Sequence, residues 1–205
     1  MDVHFTRDLV PILLHDDTLD RTTDGLGAPE RLTLRQIKRL DAGSWRGRKW
    51  RGTRVPTLRE ILDVARRAKV RVIVELKRPG VTDRQLGVFF DVIRGAGMNN
   101  ATTVESFSVA NLAAVRRKAP SMRTALISTP AADPQLARRY GKTLLQNFEE
   151  VTAARVLAWH RAGLLVMAWS PDTAAGWRAM RAAGVDAVLT NDSKTYAAWA
   201  ENGCR

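Results

Sequence analysis

Arg71-Val72-Ile73-Val74-Glu75-Leu76-Lys77 is the stretch whose reading decides the fold. Side chains alternate between the two faces of a strand. Val72, Val74 and Leu76 therefore share one face, suited to packing under helices. Ile73, Glu75 and Lys77 share the other. A carboxylate and an ammonium near the end of a buried strand are costly unless paired or bound to a metal. In a βα barrel the C-terminal strand ends carry the active site. The bland reading is a Glu75–Lys77 pair that holds a strand end; the functional one is a site.

Working outward, short β-rich runs alternate with amphipathic stretches. The strand pattern falls on 2–5, 10–15, 70–77, 101–106, 123–127, 143–146, 164–169 and 187–190. The helical pattern falls on 34–40, 57–67, 82–96, 109–118, 134–140, 151–162, 173–183 and 193–201. Thr57 and Glu60 have the spacing of a capping box, and Gly80, Gly97, Gly163 and Gly184 sit where helices stop or loops turn. Strand then helix, repeated from Val70 onward, argues a parallel sheet with helical crossovers. A barrel and a doubly wound sheet both fit. The lack of a Gly-rich fingerprint after an early strand counts against a dinucleotide fold.

At 205 residues one domain is expected. Hydrophobic content of 45% and charge of 26% are ordinary for a soluble globular chain. No apolar run reaches the ~18–20 residues of a membrane span. Asp2, His4, Arg7 and Asp8 interrupt any signal-peptide pattern at the start. The lone cysteine, Cys204, allows neither an internal disulfide nor a cysteine metal cluster, so a reducing, cytoplasmic setting is the default. The net charge of +12 would attract phosphates, anionic lipid or nucleic acid. Its densest part is Arg46, Arg48, Lys49, Arg51 and Arg54, interleaved with Trp45 and Trp50. That stretch reads as a phosphate or nucleic-acid patch, or simply as a solvated loop leading into a helix.

Candidate chemistry clusters near the start. The run Val10-Pro11-Ile12-Leu13-Leu14 delivers His15 to a strand end, followed by Asp16 and Asp17. Histidine is the usual proton carrier near neutral pH. Asp20, Arg21, Thr22, Thr23 and Gly25 then make a polar turn. His4 and His160 read as structural. Asp2 is a possible oxygen ligand for a hard cation. Trp169, closing Leu164-Leu165-Val166-Met167-Ala168, could wall a ligand pocket or pack in the core.

Taken in order, these pieces resemble the glycerophosphodiester phosphodiesterase family. Asp2-Val3 with Thr6-Arg7-Asp8 resembles its E-x-D-V…T-K-D hairpin, and VPILLHDDTLDRTT (10–23) its second histidine motif. Leu40 to Trp45 and Val55 to Leu58 resemble its connecting segment. Val74-Glu75-Leu76-Lys77 resembles its V-E-I-K strand, Ser106-Phe107 its S-F strand end, and Ala168-Trp169-Ser170 its W-T strand end. Gly184 to Asn191 resembles its closing strand. The resemblance implies a TIM-type (β/α)8 barrel of the phosphodiesterase kind that hydrolyses glycerophosphodiesters to an alcohol and glycerol 3-phosphate. It implies a divalent cation, Ca²⁺ or Mg²⁺, held by Asp2 and Glu75. It implies His15 as one of two acid–base histidines, Lys77 neutralising the phosphate, and Trp169 lining the glycerol pocket.

The family pattern begins earlier, with H-R-G and P-E-N-T segments and the first Glu of E-x-D, where Met1 takes the x position. The resemblance thus implies a barrel lacking its first strand and helix, from a misassigned start or a fragment. Low stability and impaired turnover are the expectation. Other readings are an inactive barrel that binds phosphate-containing ligands, a barrel phospholipase of the spider-toxin type, and a basic nucleic-acid binder. The last is disfavoured, because no groove-reading helix or RNA-binding motif is present. A small-molecule substrate is the expected partner, with oligomeric state open.

Overall fold

Two of the strands expected from the sequence meet at once in a hairpin. In the computed structural model, which describes residues 1–203, β1 (Asp2–Phe5) pairs antiparallel with β2 (Pro11–Leu13). Cys204 lies outside the described residues. The turn between the strands is built by Thr6, whose hydroxyl donates to Asp8 Oδ1 and accepts from the Val10 amide, while Leu9 takes the left-handed conformation at φ 63°. β1 also pairs in parallel with β3 (Val72–Leu76), and β3 in parallel with β4 (Thr102–Ser106). The spatial order is therefore β2-β1-β3-β4.

The backbone contacts fall into two compact units, Met1–Met122 and Arg123–Arg205. In the first, α1 (Leu34–Ile37), α2 (Leu58–Arg67), α3 (Asp83–Gly95) and α4 (Val109–Lys118) accompany the sheet. The Thr57–Glu60 capping box is formed as expected, and Thr33–Gln36 and Thr82–Gln85 form two more. Each box satisfies amide groups left free by a helix start. Val72, Val74 and Leu76 do face the helices, in a core with Leu58, Leu62, Leu86, Phe89 and Ile93. That leaves the Ile73, Glu75 and Lys77 face for other work. The 34–40 helix is shorter than its pattern, ending at Ile37.

In the second unit β5 (Arg123–Ser128), β6 (Thr143–Asn147), β7 (Leu165–Trp169) and β8 (Ala187–Leu189) pair in parallel, each with the next. The crossovers are α5 (Pro134–Tyr140), α6 (Ala153–Arg161) and α7 (Ala174–Ala183), and α8 (Ser193–Glu201) follows β8. Ala125, Ile127 and Leu145 form an apolar cluster with Met167, Trp169 and Leu189. The rings of Trp177, Tyr196 and Trp199 pack edge-on and tilted against one another between α7 and α8. His160 Nε2 lies 2.9 Å from Asp186, a carboxylate that also accepts the Val166 amide, so this histidine ties a helix to a strand. Among the described residues no helix is long and apolar enough to cross a membrane.

Candidate active site

Parallel register sets three carboxylates in one row. Asp2 of β1 pairs with Glu75 of β3, and Glu75 pairs with Glu105 of β4. Adjacent strands lie about 4.8 Å apart, so three acids at one level face one another across the sheet. The Glu75 amide donates to the Met1 carbonyl at 2.8 Å, which holds Asp2 to this register. Glu75 and Glu105 are buried, 6% and 4% exposed. Burial pushes both carboxyls up to about 7. Lys77 opposes the shift of Glu75 and Asp2 reinforces it; for Glu105 the Met1 ammonium opposes the shift, and Glu75 and Asp2 reinforce it. Lys77 Nζ lies 3.6 Å from Glu75 Oε2.

This row is short of positive charge. Glu105 Oε2 is buried with no hydrogen-bond partner, and an unsatisfied buried carboxylate is costly. Three acids against two ammonium groups, Lys77 and the Met1 amino terminus, are an oxygen donor set with the character that hard divalent cations take. As the side chains stand, no group of three or more His, Cys, Asp or Glu among the described residues is close enough to hold a metal. The row is thus a set of donors in register, not a closed cage.

His15 follows directly from the hairpin. The Leu14 amide donates to the Asp2 carbonyl at 3.1 Å, so the chain leaves β2 beside the carboxylate row. The His15 side chain is 68% exposed, with Nδ1 2.8 Å from Asp16 Oδ1. Arg21 clamps the same carboxylate from the other side, its Nε and Nη2 donating at 2.6 and 2.8 Å. Arg21 first, then His15, holds the Asp16 carboxyl far below the usual range. Asp16 therefore stays ionised and holds the ring by its Nδ1 edge.

The loop that follows Lys77 is pinned from within. Asn111 of α4 is 1% exposed. Its Oδ1 accepts from the Gly80 and Val81 amides at 3.1 and 3.2 Å, and its Nδ2 donates to the Arg78 carbonyl at 2.7 Å. Beside this loop a cavity of about 360 Å³ is lined by His4, Glu30, Lys77, Arg78, Thr82 and Gln85, among others. Arg78 donates to Glu30 at 2.8 Å and keeps that carboxyl ionised against its burial. His4, expected to be structural, is 1% exposed, 3.5 Å from Glu30, and burial lowers its pKa.

Of the residues singled out in the sequence, Asp2 and Glu75 meet at one strand level, Lys77 reaches Glu75 from just past the end of β3, and His15 leaves the hairpin next to them. Trp169 belongs to the second unit. There it ends β7, partly buried, its indole N–H donating to the Leu145 carbonyl at 3.3 Å. Glu105 was not expected. Its signal was available in Val104-Glu105, which repeats the Val74-Glu75 pattern of an acid one residue before a strand ends. Glu30 and Arg78 carry no such local signal.

Comparison with known proteins agrees with this geometry. Residues 1–195 match the Glycerophosphoryl diester phosphodiesterase family. YhdW of Bacillus subtilis (strain 168) is 31% identical over 204 residues, covering 93% of this chain and 81% of that protein. The glycerophosphodiester phosphodiesterase of Caldanaerobacter subterraneus subsp. tengcongensis is 29% identical over 203 residues, covering 95% and 82%. The crystal structure of glycerophosphodiester phosphodiesterase from Agrobacterium tumefaciens superposes with a TM-score of 0.81 at 28% identity, over 93% of this chain and 82% of that one. An Oleispira antarctica phosphodiesterase, solved with the product sn-glycerol-3-phosphate, has a TM-score of 0.91 at 23% identity, over 98% and 83%; this shows a shared fold. The chain therefore belongs to the glycerophosphoryl diester phosphodiesterase family, a family of phosphoric diester hydrolases, and has its TIM-type α/β barrel fold.

Proposed function

We propose that the chain hydrolyses glycerophosphodiesters to an alcohol and glycerol 3-phosphate, with a divalent cation at the Asp2–Glu75 pair. The observation that carries this is the row of Asp2, Glu75 and Glu105 in strand register, with the Lys77 ammonium against Glu75. When bound, the cation would polarise the phosphoryl group as a Lewis acid. The chain's own residues supply the rest. Lys77 is placed to take charge from a non-bridging phosphoryl oxygen, in a site where burial makes that charge count. His15 Nε2 gives a proton to the departing alkoxide or takes one from the attacking water, and Asp16 holds its ring for either task. Asn111 sets the backbone on which Lys77 is aimed. By family resemblance Trp169 would line the glycerol pocket.

The test is release of glycerol 3-phosphate from glycerophosphocholine, glycerophosphoethanolamine and glycerophosphoglycerol, with Ca²⁺, with Mg²⁺ and with EDTA. Release is expected with a cation and not with EDTA, and is lost in Glu75→Gln and in His15→Ala. The reading fails if no substrate is turned over with either cation. A folded chain that still bound glycerol 3-phosphate would then be a binding protein.

A further inference from the structure

One strongly charged surface has no part in the chemistry above. Between α1 and α2 the chain makes two 3₁₀ turns, Ser44–Arg46 and Arg48–Trp50. Residues 42–54 hold five cations and no acid. Trp45 and Trp50 are 51% and 44% exposed there. Large aromatic side chains on a surface need a reason, and here they alternate with exposed Arg46, Arg48, Lys49 and Arg51.

The loop is built to hold this display. Asp41 accepts from the Gly43 and Ser44 amides with Oδ1, and from the Gly52 amide and the Ser44 hydroxyl with Oδ2. The Ala42 amide closes the loop on the Thr53 carbonyl. Each indole also has a cation against it: Lys49 Nζ lies 5.0 Å above Trp50 and the Arg21 guanidinium 5.8 Å from Trp45. The same clamp carries an aliphatic side chain. The Asp41 amide donates to Asp24, and the Asp24 amide donates to the Asp41 carbonyl; two residues on, Leu26 is 79% exposed. Arg21, under Trp45, is the residue that clamps Asp16 beside His15.

We propose that this surface, formed by the 42–54 loop and Leu26, docks the protein on a membrane of anionic phospholipid. Three kinds of group point to that occupant. Indole rings favour the headgroup level, where one edge is wet and the other apolar. Arginine and lysine near a negative leaflet gain about 1 kcal/mol each, which is fivefold in affinity per cation. An exposed leucine gains only where there is hydrocarbon to enter. A nucleic acid would use the cations and could stack on the rings, but it offers Leu26 nothing. Docking here would bring the Arg21–Asp16 pair that holds His15 toward the lipid surface.

The experiment is co-sedimentation of the intact protein with phosphatidylcholine vesicles, with and without phosphatidylglycerol, at low and high salt. No turnover is read, so the result is independent of the hydrolytic reading. Binding is expected only to the phosphatidylglycerol vesicles, weakening as salt rises. The triple variant Arg48→Ser, Lys49→Ser, Arg51→Ser should bind on the order of a hundredfold more weakly. Leu26→Ser and Trp50→Ser should each lose about tenfold. All variants should stay folded, with thermal unfolding cooperative as in the parent, since Leu26 and the three cations stand in solvent and Trp50 lies outside the core. Failure of the folded parent to sediment with phosphatidylglycerol overturns the proposal. So does binding that ignores Leu26→Ser and Trp50→Ser, or tighter binding to duplex DNA than to vesicles with the same indifference to Leu26.

Discussion

Lys77 answers two demands from one position. It is paired to the buried acid Glu75, and it lines the cavity beside the site. In the folded chain without substrate it offsets part of the cost of burying a carboxylate; against a phosphodiester it would offset charge on phosphorus-bound oxygen. Replacing it should therefore cost more in turnover than in stability. Lys77→Ala is expected to lower kcat/KM by about 10²–10³, the range seen when one preorganised charge donor is removed. Urea unfolding, read beside the assay, separates that loss from misfolding. Asp41 makes a different residue-scale case. Backbone amides of Gly52, Gly43 and Ser44, in that order, hold its carboxyl far below the ordinary range. Because the folded pKa is depressed, its contribution is complete above the unfolded value near 4 and is lost as pH falls through the folded value. Asp41→Asn should thus unfold at lower urea than the parent at pH 6, with the gap closing as pH drops below about 4. A gap that persists unchanged to pH 3 would mean that charge is not what Asp41 contributes.

At the scale of elements, what the sequence could show depended on the range of the interaction. The β3 strand was legible because alternation is local: Val72, Val74 and Leu76 had to face one way, so Glu75 and Lys77 had to face the other. The Thr57–Glu60 box was legible for the same reason. The end of the first helix was not, because Asp41 is drawn into a long-range pairing with Asp24 that no local pattern announces. Glu105 shows the limit most clearly. Its strand was expected, but its place in the row depends on the register between β3 and β4, which only the folded sheet sets. Asn111 is hidden likewise. It reads as an ordinary polar residue inside a helical pattern, yet from α4 it binds three backbone groups of the loop that follows Lys77. Asn111→Ala leaves those partly buried groups without their partner and should destabilise by about 1–2 kcal/mol. Chemical denaturation measures that loss. A fall in kcat larger than any rise in KM is expected with it, because the loop sets where Lys77 points. Unchanged kcat in the destabilised variant would show that the loop's position does not matter to the site.

For the molecule as a whole, the row of acids is a local debt held within a small net stability. Domains of this kind are stable by only about 5–15 kcal/mol. A chain with a net charge of +12 places its three-carboxylate row on the buried face of a sheet. Mutual repulsion and desolvation at Glu75 and Glu105 therefore subtract from folding, and a divalent cation at Asp2 and Glu75 would offset part of that cost. A ligand that binds only the folded state stabilises it by about 2.7 kcal/mol at a hundredfold excess over its Kd. For a chain of this length that is a rise of roughly 5–10 °C in unfolding midpoint. Ca²⁺ or Mg²⁺ should produce such a rise over the EDTA-treated protein, with a midpoint that keeps climbing as cation is added. Asp2→Asn combined with Glu75→Gln should abolish the response while raising the midpoint in EDTA, since it removes two of the three like charges. Superposable melting curves in EDTA and in either cation would contradict a metal at this row, whatever the assay showed. The double variant makes that reading specific: general ionic screening of a basic protein would shift both proteins alike, whereas a cation seated on Asp2 and Glu75 shifts only the parent.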